Sequence, residues 1–251
     1  MSLFRLLPAL LTLPLLAACA APVKPGVNTD TSRNRPVDVA VLPVEEVPAA
    51  TLSLPAKARA FSRMVAAVEP VAERECRDRA PELDCDFRIV VDDREGQPAN
   101  AYQTLDNAGR PVLAFTLALI AEAQNEDELA FVLSHEAAHH ILRHLGRQTQ
   151  NATMGAVVFG QLASVLTASD QAAVRTAQEI GAAVGARTYS KDFELEADRL
   201  GTVITQRAGY DPLRGAQFFT RIPDPGNRFL GTHPPNRERI ATVQRTVARG
   251  Y

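Results

Sequence analysis

The residues best suited to chemistry form a cluster of histidines in the middle of the chain. Four of the five histidines lie close together, and the first two frame the pattern His135-Glu136-Ala137-Ala138-His139. On a helix, residues four apart share one face, so His135 and His139 can present two imidazole nitrogens to one metal ion. Zinc accepts such nitrogens at roughly 2.0–2.1 Å. The HExxH spacing therefore predicts a zinc site.

The glutamate between the two histidines is expected to have a different role. Glu136 projects about 100° round the helix from His135, too far to share the metal but well placed to contact a water on it. We therefore expect Glu136 to act as a general base. Random placement of the histidines and glutamates predicts only about 0.006 such patterns in a chain of this composition. The alternative is a solvated helix face without a metal.

A catalytic zinc site needs a third protein ligand and leaves its fourth position to water. The metzincin extension of the motif requires glycine at 142 and histidine at 145, but the chain has Leu142 and Leu145. The thermolysin-like arrangement takes a glutamate from a second helix, and residues 194–198 provide candidates. Glu194 and Asp198 share a helix face, so one can bind the metal while the other holds a ligand imidazole. Glu196 points about 200° away from Glu194 and is the less favoured ligand.

The N-terminus has the features of an export signal. One positive charge at Arg5 precedes an apolar run over 6–18, which is shorter than the roughly 20 residues of a membrane-spanning helix. The run closes with LAAC at Cys19, which resembles the lipobox of bacterial lipoproteins. This resemblance implies a signal peptide at 1–18, a lipidated Cys19 and, because Ala20 follows, attachment to the outer membrane facing the periplasm. Cleavage for soluble secretion is the alternative.

The rest of the chain is predicted to be a tether and one domain. Residues 19–56 are rich in proline and small polar residues, which favours a Pro-rich tether. Residues 57–251 fit a single domain. The net charge of −2 and the pI near 6.2 give no reason to expect a nucleic-acid partner. The oligomeric state is not indicated by the sequence.

Two cysteines remain after lipidation of the first. Cys76 and Cys85 would meet an oxidising compartment after export, so we expect a disulfide between them. Closing this loop would contribute roughly 2.5–3 kcal/mol to the free energy of unfolding. Two free thiols or a pair of metal ligands are the alternatives.

Apolar periodicity predicts a mostly helical α+β fold with a small three-stranded sheet. The motif helix is expected to begin at the capping residues Asn125 and Glu128 and to run about twenty residues to Gly146 as the central helix. The apolar stretch 152–167 is interpreted as a core or hairpin helix, or alternatively as an amphipathic membrane-facing or lid element. The strands are predicted at 87–91, 100–104 and 111–115, and the other helices at 57–74, 116–123, 170–186, 190–207, 212–220 and 236–248.

Several segments in the same order resemble a known family. They are Asn100-Ala101-Tyr102, residues 125–134 leading into HEAAHH, ELEADRLG at 194–201, and His233-Pro234 followed by Arg239. This pattern is similar to the gluzincin metallopeptidases that include the CAAX prenyl proteases, the heat-shock protease HtpX, the mitochondrial Oma-type proteases and periplasmic lipoprotein proteases. The resemblance implies a zincin-type metalloprotease domain with HExxH on a central helix.

The resemblance also implies a role for individual residues. Glu194 would be the third ligand of one zinc ion, and Asp198 would hydrogen-bond a ligand histidine. His233 would face the cleft, where it stabilises an oxyanion or binds zinc in a closed state, unless it is a packing residue. Asn100, Ala101 and Tyr102 would form the edge strand that pairs with an extended substrate. His140 and His144 are interpreted as structural residues.

The expected function is that of a zinc metalloendopeptidase with Glu136 as general base on a zinc-bound water. Its partners would be misfolded or unassembled cell-envelope proteins, and the membrane through the lipid anchor. A rival interpretation is a chaperone-like lipoprotein that assists outer-membrane protein assembly and uses zinc structurally.

Overall fold

The computed structural model describes residues 53–250, except for 169, 189, 225 and 227–232. The predicted signal peptide, the lipidated Cys19 and almost all of the tether lie outside the described residues. In chain order the elements are α1 (Leu54–Arg79), β1 (Arg88–Asp92), β2 (Ala101–Leu105), β3 (Pro111–Thr116), α2 (Leu117–Glu122), α3 (Glu126–Ile141), α4 (His144–Leu166), α5 (Gln171–Arg187), α6 (Ser190–Arg207), α7 (Pro212–Gly215), a 3-10 helix (Ala216–Thr220) and α8 (Asn236–Arg249).

The three strands form one mixed sheet in the order β1-β3-β2. The central strand β3 is parallel to β1, with Val90 opposite Ala114, and antiparallel to β2, with Gln103 opposite Leu113. Strand β3 is almost entirely buried, as expected for a strand with neighbours on both sides. Strand β2 is therefore an edge strand, and its free side is available for other contacts.

The main core lies between the sheet and three helices. Met64 of α1, Phe115 of β3, Leu133 of α3 and Ile204 of α6 are all fully buried in one cluster. The core places α3 in the centre, against both α1 and α6. The predicted fold class is thus confirmed: a mostly helical α+β domain with a three-stranded sheet and HExxH on a central helix.

A disulfide connects the end of α1 to the segment before β1. Cys76 and Cys85 are bonded and both belong to the main core. Helix α1 begins at Leu54, three residues before the predicted domain boundary. Pro55 lies in its first turn, where the fixed φ of proline suits a helix and its missing N–H has no partner to lose.

The motif helix is shorter than the sequence pattern predicts. Its start is as expected, because the Asn125 side chain accepts a hydrogen bond from the backbone N–H of Glu128. Its end at Gly146 is wrong: α3 stops at Ile141, and Arg143 adopts a left-handed conformation with φ of 57°. A new helix, α4, begins at His144. The chain therefore changes direction within the histidine cluster.

Helices α4 and α5 form a hairpin that includes the apolar stretch 152–167. The hairpin helix was the first interpretation of this stretch, but most of its side chains are exposed rather than part of the core. Asp170 caps α5 through its carboxylate, which accepts from the N–H of Ala172. No helix among the described residues is long and apolar enough to cross a membrane.

Candidate metal centre

Two helices bring together the three predicted ligands. His135 and His139 lie one turn apart on α3, with their Nε2 atoms 3.0 Å apart. Glu194 projects from α6, and its two carboxylate oxygens are each 3.5 Å from one of these nitrogens. All three donor atoms lie within 4.8 Å of one another. The three side chains can therefore share one ion.

The arrangement of these donors suits zinc. Ligands at the corners of a tetrahedron, at zinc–ligand distances of about 2.05 Å, would be about 3.3 Å apart. The two nitrogens are 3.0 Å apart, which is close to this value, and Glu194 places one carboxylate oxygen 3.5 Å from each of them. Two imidazole nitrogens and one carboxylate oxygen are also a donor set that zinc binds well.

A glycine allows the two helices to approach closely behind the ligands. Gly201 of α6 lies against α3, and a Cβ atom at this position would be 3.1 Å from the backbone nitrogen and Cα of His135. A larger residue would push α6 away from α3. Gly201 therefore keeps Glu194, two turns earlier on α6, within reach of both histidines.

The Nδ1 atom of His135, which is the ring nitrogen not directed at the predicted metal, contacts a buried carboxylate. Asp198 Oδ1 lies 3.0 Å from His135 Nδ1, and Asp198 also accepts two hydrogen bonds from Arg239 of α8. Burial opposes the charge of Asp198, but Arg239 and His135 lower the pKa of its carboxyl below the ordinary value. The charged Asp198 orients His135 so that Nε2 points towards Glu194.

The two predicted ligand histidines differ in their affinity for a proton. Burial and Arg239 oppose a charge on His135, yet hydrogen bonds to Asp198 and Glu194 raise its pKa to about 9. Burial and the charge of His135 lower the pKa of His139 to about 3. Contacts with His135 and His233 hold the pKa of Glu194 well below its ordinary value despite its burial. The negative charge of Glu194 thus favours a cation beside His135, and the binding of zinc would release the proton from the His135 ring.

The outer nitrogen of His139 contacts His144, which the sequence interpretation treated as purely structural. Because α3 ends at Ile141, His144 does not lie on the far side of the motif helix but turns back, with its Nδ1 2.8 Å from His139 Nδ1. Its Nε2 is 3.1 Å from Glu196, which also pairs with Arg147 at 2.6 Å. The His144 ring stacks on Phe193. His144 therefore orients a predicted ligand, a role that continuous helical spacing excluded.

His140 and Glu196 lie away from the three predicted ligands. His140 points to the opposite side of α3, where its Nε2 is 2.8 Å from the carbonyl oxygen of Asp84 and its ring meets the edge of Phe87. Glu196 faces His144 and Arg147, as its predicted direction on α6 requires.

Glu136 lines a cleft of about 720 Å³ in front of the ligands. The same cleft is lined by His135, His139 and Glu194, and by Tyr102 of β2. Burial is the main cause that raises the pKa of the Glu136 carboxyl, and the charge of Glu194 acts in the same direction. A carboxylate with a raised pKa is a better proton acceptor at neutral pH.

The edge strand β2 and the two residues before it form one wall of the cleft, through residues 99–103. Asn100 uses its backbone on the β3 side, because its carbonyl accepts from the N–H of Thr116. Hydrogen-bonding direction alternates along an antiparallel strand, so Ala101 and Gln103 direct their backbone groups to the free side. The backbone of Gln103 indeed hydrogen-bonds Glu136. The free edge of β2 therefore faces the predicted general base.

His233 lies at the mouth of the cleft, on the segment before α8. Its Nδ1 is 3.2 Å from Glu194, and its side chain is 55% exposed. Arg239, further along the same C-terminal part, is the residue whose role the sequence did not reveal. It contacts Asp198, lies 3.2 Å from both ring nitrogens of His135 and stacks on Phe219.

Comparison with known proteins gives a match that covers the described body. The model of peptidase family M48 matches residues 60–247. This range contains every residue of the candidate metal centre.

Several curated proteins are similar to the chain over part of their length. The putative beta-barrel assembly-enhancing protease of Vibrio cholerae is 35% identical over 145 residues, which cover 53% of this chain and 30% of the relative. The beta-barrel assembly-enhancing protease of Escherichia coli K12 is 34% identical, over 51% of this chain and 28% of the relative. The mitochondrial metalloendopeptidase OMA1 of Saccharomyces cerevisiae is 28% identical, over 64% of this chain and 46% of the relative. The chain thus spans less than half the length of these relatives.

Proposed function

The chain belongs to peptidase family M48, and from this premise we propose that it is a zinc metalloendopeptidase that hydrolyses internal peptide bonds of cell-envelope proteins. One observation carries the proposal. His135, His139 and Glu194 present three donor atoms within 4.8 Å of one another, beside a cleft that Glu136 also lines. Three protein ligands and an accessible fourth position are the mark of a catalytic zinc site.

The two histidines and Glu194 would hold the ion through His135 Nε2, His139 Nε2 and the Glu194 carboxylate. When bound, zinc polarises the scissile carbonyl and lowers the pKa of water. Asp198 and His144 fix the two imidazole rings through their outer nitrogens. This support keeps both Nε2 atoms directed at the cleft.

Glu136 would move the proton. One oxygen of its carboxylate takes a proton from the attacking water, and the same oxygen then gives it to the nitrogen of the leaving amine. Its partly buried position at the cleft wall, and the raised pKa that results, fit a group that must accept and then release a proton.

The substrate would bind along β2. Ala101 offers its backbone groups on the free edge, with which an extended peptide can pair irrespective of its side chains. His233, at the mouth of the cleft, would donate a hydrogen bond to the oxyanion that develops on the scissile carbonyl. Such backbone pairing favours unfolded polypeptides as substrates.

The proposed location is the cell envelope. The apolar leader at 6–18 and the lipobox at Cys19 support export and attachment to a membrane, with the Pro-rich segment that follows Cys19 as a tether. The bacterial relatives are named for the assembly of β-barrel proteins. We therefore propose that misfolded or unassembled envelope proteins, including those of the outer membrane, are the substrates.

A chaperone-like lipoprotein with a structural zinc site is the second candidate. A structural site is usually closed by four protein ligands. His233 is the residue placed to provide a fourth, since its Nδ1 is 3.2 Å from Glu194. Among the described residues, however, the donor atoms that all lie within 4.8 Å of one another belong to His135, His139 and Glu194. His233 is not part of this group. This geometry favours the peptidase.

The decisive experiment compares wild type with Glu136→Gln, both loaded with zinc, on unfolded casein and on an unfolded outer-membrane protein. We expect the wild type to cleave both substrates and the variant to be inactive while retaining one zinc per chain, because Glu136 is not a ligand. Glu179→Gln, on the exposed face of α5, is the matched control and should keep full activity.

Two results would contradict the proposal. Cleavage by Glu136→Gln at the wild-type rate would remove the general base assignment. A wild-type protein that prevents aggregation of the unfolded substrate without cutting it would instead favour the chaperone-like function.

A further inference from the structure

A large apolar surface covers one face of the α4–α5 hairpin. Beyond its first three turns, α4 carries seven large apolar side chains that are between 37% and 81% exposed. Contiguous exposed apolar surface of this kind marks a binding site rather than ordinary protein surface. Its members are Met154, Val157, Val158, Phe159, Leu162, Val165 and Leu166. We call these seven residues the α4 face.

The two helices of the hairpin contact each other through glycines. A Cβ atom at Gly155 would lie 2.0 Å from the carbonyl oxygen of Gly181, and one at Gly185 would lie 2.1 Å from that of Asn151. The backbones thus touch directly. Phe159 packs against Gly181 of the partner helix through its Cβ, whereas the other six large apolar side chains are 45–81% exposed. A helix pair in water normally buries its large apolar residues at the contact. Small residues inside and apolar residues outside are instead typical of helices that contact lipid.

Beyond the first turn of α4, the charged residues of the two hairpin helices lie on α5. From Gln148 to Ser169 the sequence has no charged residue, whereas α5 carries Arg175, Glu179 and Arg187. The hairpin as a whole is therefore amphipathic, with α4 as its apolar side. An element of this kind lies in the surface of a bilayer with its apolar side immersed and its charged side in water.

The position of the hairpin in the chain is compatible with such contact. Helix α4 has 23 residues, which corresponds to about 34 Å. In the proposed function, the chain before the described body connects it to a lipid anchor at Cys19. A body held in this way would stay within reach of the membrane. Leu145 and Gln148, at the base of α4, line the cleft.

We propose that the α4 face docks on a lipid bilayer and forms a second membrane contact, independent of the anchor at Cys19. The helix lies in the interface without crossing the bilayer. Because α4 begins beside His139 and its first turns line the cleft, docking holds the mouth of the cleft close to the membrane surface. Polypeptides emerging at that surface would reach β2 without leaving it.

The first test uses the full lipidated chain in vesicles of phosphatidylethanolamine and phosphatidylglycerol. Because Cys76 and Cys85 are bonded and Cys19 would be acylated, Val165→Cys introduces one free thiol for a polarity-sensitive fluorophore. We expect spin labels on the lipid acyl chains to quench this fluorophore. The same fluorophore at Ala183→Cys, on the exposed side of α5, should not be quenched. Equal, weak quenching at both positions would overturn the proposal.

The second test removes the anchor and asks whether the face binds alone. Residues 20–251 retain the whole described body, whose core lies within it. This chain should float with the same vesicles, and Leu162→Gln/Val165→Gln/Leu166→Gln should reduce the bound fraction at least about tenfold, because apolar area then stays in water. Leu54→Gln/Leu105→Gln/Leu117→Gln changes three other exposed leucines and should bind like wild type.

The other possible occupants of the α4 face give different results. If the chain does not float and instead forms dimers in sedimentation that the hairpin variant abolishes, the face is an interface between copies. If residues 53–251 float but residues 20–251 do not, the N-terminal segment of the chain itself covers the face. The first result would exclude lipid as the occupant. The second would show that in the longer chain the N-terminal segment, and not lipid, occupies the face.

Discussion

The guanidinium of Arg239 makes two hydrogen bonds, of 2.8 and 2.6 Å, to the carboxylate of Asp198. Asp198 in turn contacts His135 Nδ1, so the last helix of the described chain supports a residue on α3 that lies 104 positions earlier. Both charged groups are buried. The orientation of the first predicted zinc ligand therefore depends on the correct packing of α8.

Substitution Arg239→Ala should affect both folding and metal binding. It leaves the charge of Asp198 buried without its main partner, which typically lowers the free energy of unfolding by about 3–5 kcal/mol. Zinc affinity should fall by about 10–100-fold, because His135 loses its fixed orientation. Denaturant titration and competition with a zinc chelator measure the two effects. Arg237→Ala, an exposed residue of the same helix, is the control, and equal behaviour of both variants would refute the role of Arg239.

Two glutamates on α6 should differ sharply in their effect on zinc. Glu194→Ala removes the one carboxylate that lies between the two histidines, so the variant should lose bound zinc during purification. Glu196→Ala removes a pair with Arg147 and His144 on the other side of the helix and should retain zinc. Metal analysis of both proteins checks this. Normal zinc content in the Glu194 variant would require a different third ligand.

Most elements and the pairing of His135 with His139 could be predicted from local patterns, whereas the place of Glu194 beside them came from the family resemblance. Asn125 and Asp170 cap helices where their residue type indicates, and the three strands begin and end within a residue or so of the predicted bounds. The end of α3 could not be predicted, because Arg143 takes a left-handed conformation that usually belongs to glycine, and Gly146 offered a more conventional end. If the helix continued past Arg143, helical spacing would place His144 on the side of α3 opposite to His135, away from His139.

Contacts between segments far apart in the chain also could not be predicted from the sequence. The separation of 41 positions between Asp198 and Arg239 gives no sign that the two side chains are hydrogen-bonded. By its type, Gly201 is an unfavourable residue inside a helix, and its reason is the close approach of α3 at this position. Both residues act through packing of elements that are far apart in the chain. Both residues lie in the segments that resemble the family, but their physical role follows from the contacts in the structure.

The contact between His144 and His139 predicts that His144→Phe weakens metal binding without removing a ligand. Phenylalanine keeps the stacking on Phe193 but provides no nitrogen for His139 Nδ1. We expect zinc affinity to fall by about 10–100-fold, the usual effect of losing a hydrogen bond to a ligand histidine. His140→Phe, which removes a nitrogen that contacts only the Asp84 carbonyl, should leave zinc affinity unchanged. If both variants bind zinc like wild type, His144 is merely a packing residue.

The free edge of β2 leads to a prediction about substrate binding. The alternation of hydrogen bonds directs the N–H of Ala101 away from β3, towards the cleft. Ala101→Pro removes this donor, but it leaves the bonds of Asn100 and Tyr102 with β3 in place and so should not unfold the sheet.

For an unfolded protein substrate, Ala101→Pro should raise KM at least about tenfold, since one backbone hydrogen bond and the local strand geometry are lost. Zinc content should stay normal, because no ligand moves. Ala101→Ser keeps the N–H and a small side chain, so its kinetics should match the wild type. Steady-state cleavage of a quenched fluorescent peptide separates KM from kcat. Wild-type KM in the proline variant, with the serine control also unchanged, would show that the substrate does not pair with β2 at this position.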